Sequence, residues 1–114
     1  MTANQRFAQA LRSMRSRDPR TREDGFDFLR EHADSYVDEL IAEFENERDD
    51  HGLRCWLLEL VAEARSPRAL PLLAGQLHAD DESLRFWAVR GMEMLDTREA
   101  REELHRAKAN GWVC

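Results

Sequence analysis

The chain repeats itself. Leu53-Arg54-Cys55-Trp56 recurs as Leu84-Arg85-Phe86-Trp87, 31 positions on, and an Asp-x-x-x-Arg pattern occurs three times, as Asp18/Arg22, Asp50/Arg54 and Asp81/Arg85, at intervals of 32 and 31. A period of this length is the mark of stacked supersecondary units, each too small to bury its apolar face alone. With 114 residues there is room for about three such units in one domain.

The spacing of apolar residues inside each period is helical. A first helix is predicted from Ala3 to about Ser16, opened by a Thr2/Gln5 capping box and carrying Phe7, Ala10, Leu11 and Met14 on one stripe. Asp18-Pro19 ends it and opens a second helix, from about Arg20 to Ala33, with Phe26, Leu29 and Ala33 inward. A cap signature from Ser35 to Asp38 opens a third, with Val37, Leu40, Ile41 and Phe44 inward. Asp49 or Asp50 starts a fourth, apolar almost all round, as expected of a helix covered on more than one side. Ser66-Pro67 starts a fifth, the stretch Asp80 to Ser83 a sixth, and Asp96-Thr97-Arg98-Glu99 a seventh that stops at Asn110-Gly111. Gly25 and Gly91 fall inside helices, where close helix packing is the expected reason. The expected fold is all-α: an N-terminal cap helix (1–17), three helical hairpins (18–48, 49–79 and 80–110) and a short tail (111–114).

The segments Asp81-Glu82-Ser83-Leu84-Arg85-Phe86-Trp87-Ala88-Val89-Arg90-Gly91 and Ser66-Pro67-Arg68-Ala69-Leu70-Pro71-Leu72-Leu73, with the periodic Asp and Arg, resemble the HEAT-repeat family. The likeness is to short bacterial HEAT-like units of the phycobilisome-lyase type. It covers residues 18–110, best in the middle and last repeats. The resemblance implies an α-α superhelix whose second helices line the inner curve. It also implies structural roles for Asp18, Arg22, Asp50, Arg54, Asp81 and Arg85 as bonds between neighbouring repeats. Such a motif specifies fold far more than function.

Charge is the clearest functional signal. The net charge is -6, and its source is local: residues 23–50 hold twelve acids against Arg30 and Arg48, a balance of -10. On the third helix the apolar row leaves Asp38, Glu39, Glu43, Glu45 and Glu47 pointing outward, a field suited to a basic partner. The opposite sign concentrates in Arg6, Arg12, Arg15 and Arg17, expected to pair with that acidity internally, which argues against a nucleic-acid face. No apolar run is long enough to span a membrane, and the N-terminal residues lack a secretory layout, so a cytoplasmic location is expected.

Catalytic signatures are missing: no nucleophile elbow, glycine-rich phosphate loop or Cys-x-x-Cys occurs. Two clusters, Glu47-Arg48-Asp49-Asp50-His51 and His78-Ala79-Asp80-Asp81-Glu82, place an imidazole among carboxylates. Neither has helical metal-ligand spacing, so no metal or cofactor is expected. Cys55 reads as a small buried hydrophobe and Cys114 as a frayed end; a disulfide between them is not expected. Trp56 and Trp87 share the inward stripe and read as core, not as a stacking platform. Trp112 is expected to fold back over the last repeat, shielding Phe86 or Met92. Phe86 and Val89 lie off the stripe and could meet the tail, a second copy of the chain or another protein.

The expected function is therefore a non-catalytic protein-binding module for a basic partner, with Phe86, Val89 and Trp112 as a second docking face. A narrower version is an immunity- or antitoxin-type inhibitor of a cationic toxin. The resemblance also implies enzyme-linked alternatives, HEAT-like DNA-binding alkylbase glycosylases and bilin lyases, which need a basic face or a partner subunit and a chromophore.

Overall fold

A computed structural model describes residues 2–113, and within them the fold is all-α. Seven α-helices follow in order: α1 Ala3–Met14, α2 Pro19–Glu31, α3 Val37–Asn46, α4 His51–Glu63, α5 Leu70–Gln76, α6 Glu82–Leu95 and α7 Arg98–Ala109. Short 3-10 turns at Ala33–Ser35 and Pro67–Ala69 lead into α3 and α5. Helix α1 packs on α2. Helix α4 packs against α2, α3 and α6, and α6 in turn against α5 and α7, in a body of 45 × 24 × 21 Å.

Most helix starts are set by one side chain each. Thr2, Asp18, Asp50, Ser66, Asp81 and Thr97 each accept from a backbone N–H two or three residues on, satisfying donors that the helix cannot pair itself. The Thr2/Gln5 pair closes the full capping box.

Two starts depart from expectation. Ser35 does not cap α3; Tyr36 stands at that position with no side-chain cap bond. The aromatic ring is drawn into the core instead, 5.3 Å from Phe7, with its hydroxyl donating to the Ala3 carbonyl at 3.2 Å. The turn through Ala33–Ser35 is 3-10, closed by Tyr36 N–H on the Ala33 carbonyl. Before α5 the cause is Pro71, which has no N–H to reach the Pro67 carbonyl four residues back. Leu70 N–H takes that carbonyl in a 3-10 bond, and the α-helix begins three residues later than Ser66-Pro67 suggests.

The core is continuous from Phe7 and Met14 at one end to Ala100 and Leu104 at the other, with Leu29, Leu40, Phe44, Leu57, Leu58, Leu60, Val61, Leu73, Leu77 and Met92 essentially solvent-free between. Burial of this kind is worth about 25 cal/mol per Å² of apolar surface, the main force holding the stack together. Gly25 and Gly91 stand at close helix contacts that leave no room for a side chain. A Cβ at Gly25 would lie 2.5 Å from the Ala10 carbonyl oxygen of α1, and one at Gly91 would lie 3.1 Å from Ala62 Cβ of α4. Trp56 and Trp87 are half-buried at the core's margin, not inside it; Trp56 packs against Phe26 at 4.9 Å. No helix of the described residues is long and apolar enough to cross a membrane.

Candidate functional site

The repeated Asp and Arg form a backbone clamp. Each Asp caps its own helix, and each Arg, one turn on, donates back to carbonyls that precede the helix. Arg54 Nη1 reaches the carbonyls of Phe44 (2.9 Å) and Glu47 (2.7 Å), Arg85 Nη1 those of Ala79 (2.6 Å) and Asp80 (2.9 Å), and Arg22 Nη1 that of Ser16 at 3.5 Å. Thr97 and Arg101 repeat the device, the latter donating to the Asp96 carbonyl at 2.8 Å. This fourth copy falls outside the Asp-x-x-x-Arg pattern because Thr97 replaces Asp. These guanidiniums satisfy helix-end carbonyls, a role for which the fixed fork of Arg is suited. Asp18 is held below the usual carboxylate range, chiefly by the Thr21 hydroxyl and N–H.

The acidic third of the chain divides into tied and untied carboxylates. On α3, Asp38 pairs with Arg68, and Arg15, just past the end of α1, reaches Glu43 at 3.6 Å. Glu47, expected to point outward, turns in. Its side chain is only 9% exposed, Oε1 accepts from Arg15 at 2.7 Å, and Oε2 accepts from the N–H groups of Asp49 and Asp50 at 3.2 and 3.1 Å. Those N–H donors, that of Asp50 above all, and then the Arg15 guanidinium hold it below the ordinary carboxylate range. Asp50 is used as the α4 cap. Of the five outward carboxylates expected on α3, Glu39 and Glu45 have no ion pair among the described residues; Glu45 is exposed and Glu39 half-buried.

Half of the untied acidity lies on α2, where it forms one row. Glu23, Asp27 and Glu31 follow at four-residue spacing, exposed, with Asp24 beside them, and none has an ion pair among the described residues. Across the seam with α4, Arg30 approaches Glu63 at 3.9 Å, and burial pushes the Glu59 carboxyl up despite Arg30 nearby. The i, i+4, i+8 spacing of this row is a signal in the sequence itself.

At the other end, Phe86 is 58% exposed and Trp112 48% exposed. Gly111, at φ +80°, turns the chain after α7, with Trp112 N–H bonded to the Ala107 carbonyl at 3.0 Å. The turn brings the Trp112 ring edge-on to His78, 5.0 Å away, and leaves Phe86 uncovered; Phe86 instead packs edge-on to Trp87. Phe86, half-buried Val89, Trp112 and Val113 line a shallow groove with Glu82 and Arg85. Cys114 lies outside the described residues.

A third constellation joins the two His-containing clusters of the sequence. His51 and Cys55, one turn apart on α4, meet Asp81 at the start of α6. His51 Nε2 lies 3.2 Å from Asp81 Oδ2 and 3.6 Å from Cys55 Sγ, and one donor atom from each residue falls within 4.8 Å of the others. Cys55 is half-buried, not enclosed, and burial first, then the Asp81 charge, push its thiol up. A nucleophilic thiol needs the opposite shift. Moreover, both the thiol and the carboxylate address the same ring nitrogen. In a nucleophile–base–acid relay the carboxylate orients the imidazole through the other nitrogen, leaving the first free to take a proton. The geometry is therefore not that of a catalytic triad.

Compared with family models, with curated proteins and with solved structures, the chain gives no match.

Proposed function

We propose that this protein is a non-catalytic interaction module of HEAT-like helical hairpins, acting in the cytoplasm, that binds a basic protein partner through its acidic first repeat, with the exposed face of α2 as the main contact. The HEAT-like reading draws support from the side-by-side order of α2, α4 and α6 and from the cap-and-clamp device that recurs at Asp18/Arg22, Asp50/Arg54, Asp81/Arg85 and Thr97/Arg101. The observation that carries the binding reading is the row of exposed, unpaired carboxylates Glu23, Asp27 and Glu31 on α2. Carboxylates tied by Arg15 or Arg68 are already neutralised within the fold; those on α2 leave a field that accelerates encounter with a cationic surface and weakens with added salt.

The test compares two neutralised variants as baits in the native cell extract. Glu23→Gln/Asp27→Asn/Glu31→Gln removes the free row, and Asp38→Asn/Glu43→Gln removes acids already paired. Basic proteins captured at low salt by the parent chain and by the second variant, but lost from the first and at high salt, are the expected result. Identical captures by all three chains overturn the assignment.

A further inference from the structure

We infer that His51, Cys55 and Asp81 form a zinc site with three protein ligands and one position open to water. The first reason is convergence. An imidazole nitrogen, a sulfur and a carboxylate oxygen surround one point, and each comes from a residue type that zinc accepts. Zinc–ligand bonds of roughly 2.0–2.3 Å at tetrahedral angles set donor–donor edges of roughly 3.3–3.6 Å. The separations of 3.2 Å (His51 Nε2 to Asp81 Oδ2) and 3.6 Å (Cys55 Sγ to His51 Nε2) lie close to two such edges, and the third pair, Cys55 Sγ and Asp81, is within 4.8 Å, so a small side-chain adjustment closes the site.

The second reason is support. His51 and Cys55 share one face of α4, a rigid element, and α4 packs extensively on α6, so the two halves of the site are held in register. Asp81 is oriented by its structural duty: Oδ1 accepts from Leu84 N–H at 2.9 Å, which leaves Oδ2 facing His51. A bond to the second oxygen of a ligating carboxylate is the usual way such a ligand is fixed. The nearby Arg54 guanidinium is engaged by the Phe44 and Glu47 carbonyls and does not fill the site.

The third reason is charge and access. Binding would replace the thiol proton of Cys55, released to solvent, by the metal, and the thiolate and the Asp81 carboxylate together would neutralise a dication. The His51 side chain is 60% exposed, so an ion can enter and a fourth ligand can be water. The two imidazole clusters of the sequence supply one ligand each, His51 from the first and Asp81 from the second. No local spacing rule finds such a pair, because the residues are 30 positions apart.

Cobalt(II) is the probe, added to the reduced, purified full chain, with zinc as competitor. One equivalent is expected to give a thiolate-to-cobalt charge-transfer band and tetrahedral ligand-field bands, both abolished by zinc. Cys55→Ser is expected to remove the charge-transfer band, and Cys114→Ser to keep it. His51→Ala and Asp81→Asn are expected to weaken zinc by about tenfold or more, the scale at which even supporting partners act. Asn caps a helix as well as Asp, so the second variant keeps the fold. Octahedral spectra without a sulfur band, or a band that survives Cys55→Ser and vanishes with Cys114→Ser, overturn the site.

Discussion

Helices α4 and α6 are the same helix met twice. Leu53, Arg54, Trp56 and Leu58 of one stand 31 residues before Leu84, Arg85, Trp87 and Val89 of the other, and both are capped by Asp and clamped by Arg. Their surroundings differ. Helix α4 is packed against α2, α3 and α6; Leu58 is solvent-free and Cys55 half-covered. On α6, the equivalents Val89 and Phe86 are half-buried and exposed. The same register yields core in one place and surface in the other, so cover, not the residue's own preference, decides what an off-stripe apolar residue does in this fold.

The largest expected effect follows from that difference. Leu58→Ala should cost about 3 kcal/mol, within the usual range for a fully buried leucine in a site that cannot collapse. Val89→Ala, at the equivalent place, should cost about 1 kcal/mol or less, because water already reaches it. Urea unfolding of the two variants measures both. Equal losses would break the comparison and mean that the Val89 face is covered in solution.

The clamp sharpens it next. Arg54 and Arg85 each hold two carbonyls, but Arg54 also lies over the Phe44 ring, 4.0 Å from its centroid. Removing a charged hydrogen-bond donor together with a partly desolvated cation–π contact should make Arg54→Ala the costlier change, about 2 kcal/mol against about 1 for Arg85→Ala. The same urea series decides the order, and a larger loss for Arg85→Ala would show that the Phe44 contact adds nothing.

Much of this was legible beforehand. Helix starts were readable wherever Asp, Ser or Thr stood two or three residues before a free N–H, as at Asp50 and Asp81, because a cap is a local bond. The start of α3 was not, since Tyr36 follows the core and not the cap rule. Glu47 was misplaced for the same reason: its partners, Arg15 and the Asp50 N–H, belong to other segments, and a helical projection sees only its own helix. The His51–Asp81 meeting depends wholly on how α4 sits against α6.

Before α4 the chain carries a device that is not repeated before α6, the Glu47 latch. The carboxylate of Glu47 is depressed below its ordinary value of 4.5, so its contribution is fully present above that value and lost as pH falls through the lowered one. Glu47→Gln should therefore destabilise the protein at neutral pH, with the gap to the parent chain closing in acid below pH 4.5. Thermal unfolding across that range measures it. A gap independent of pH would mean that the shape of the side chain, not its charge, holds the loop.

The smallest effect is expected at the most exposed apolar residue. Phe86→Ser should move stability by no more than about 0.5 kcal/mol, the ordinary range for surface substitutions, although its equivalent Cys55 sits half-covered in the seam between α4 and α6. Its ring touches Trp87 edge-on, and Trp112 is engaged by His78, so little is lost when it goes. The measurement has a second use. A loss that grows with protein concentration would show that Phe86 is buried between two copies of the chain, because only an associating face couples stability to concentration. In that case α6 would be covered as α4 is, and the contrast between the two helices would belong to the isolated chain alone.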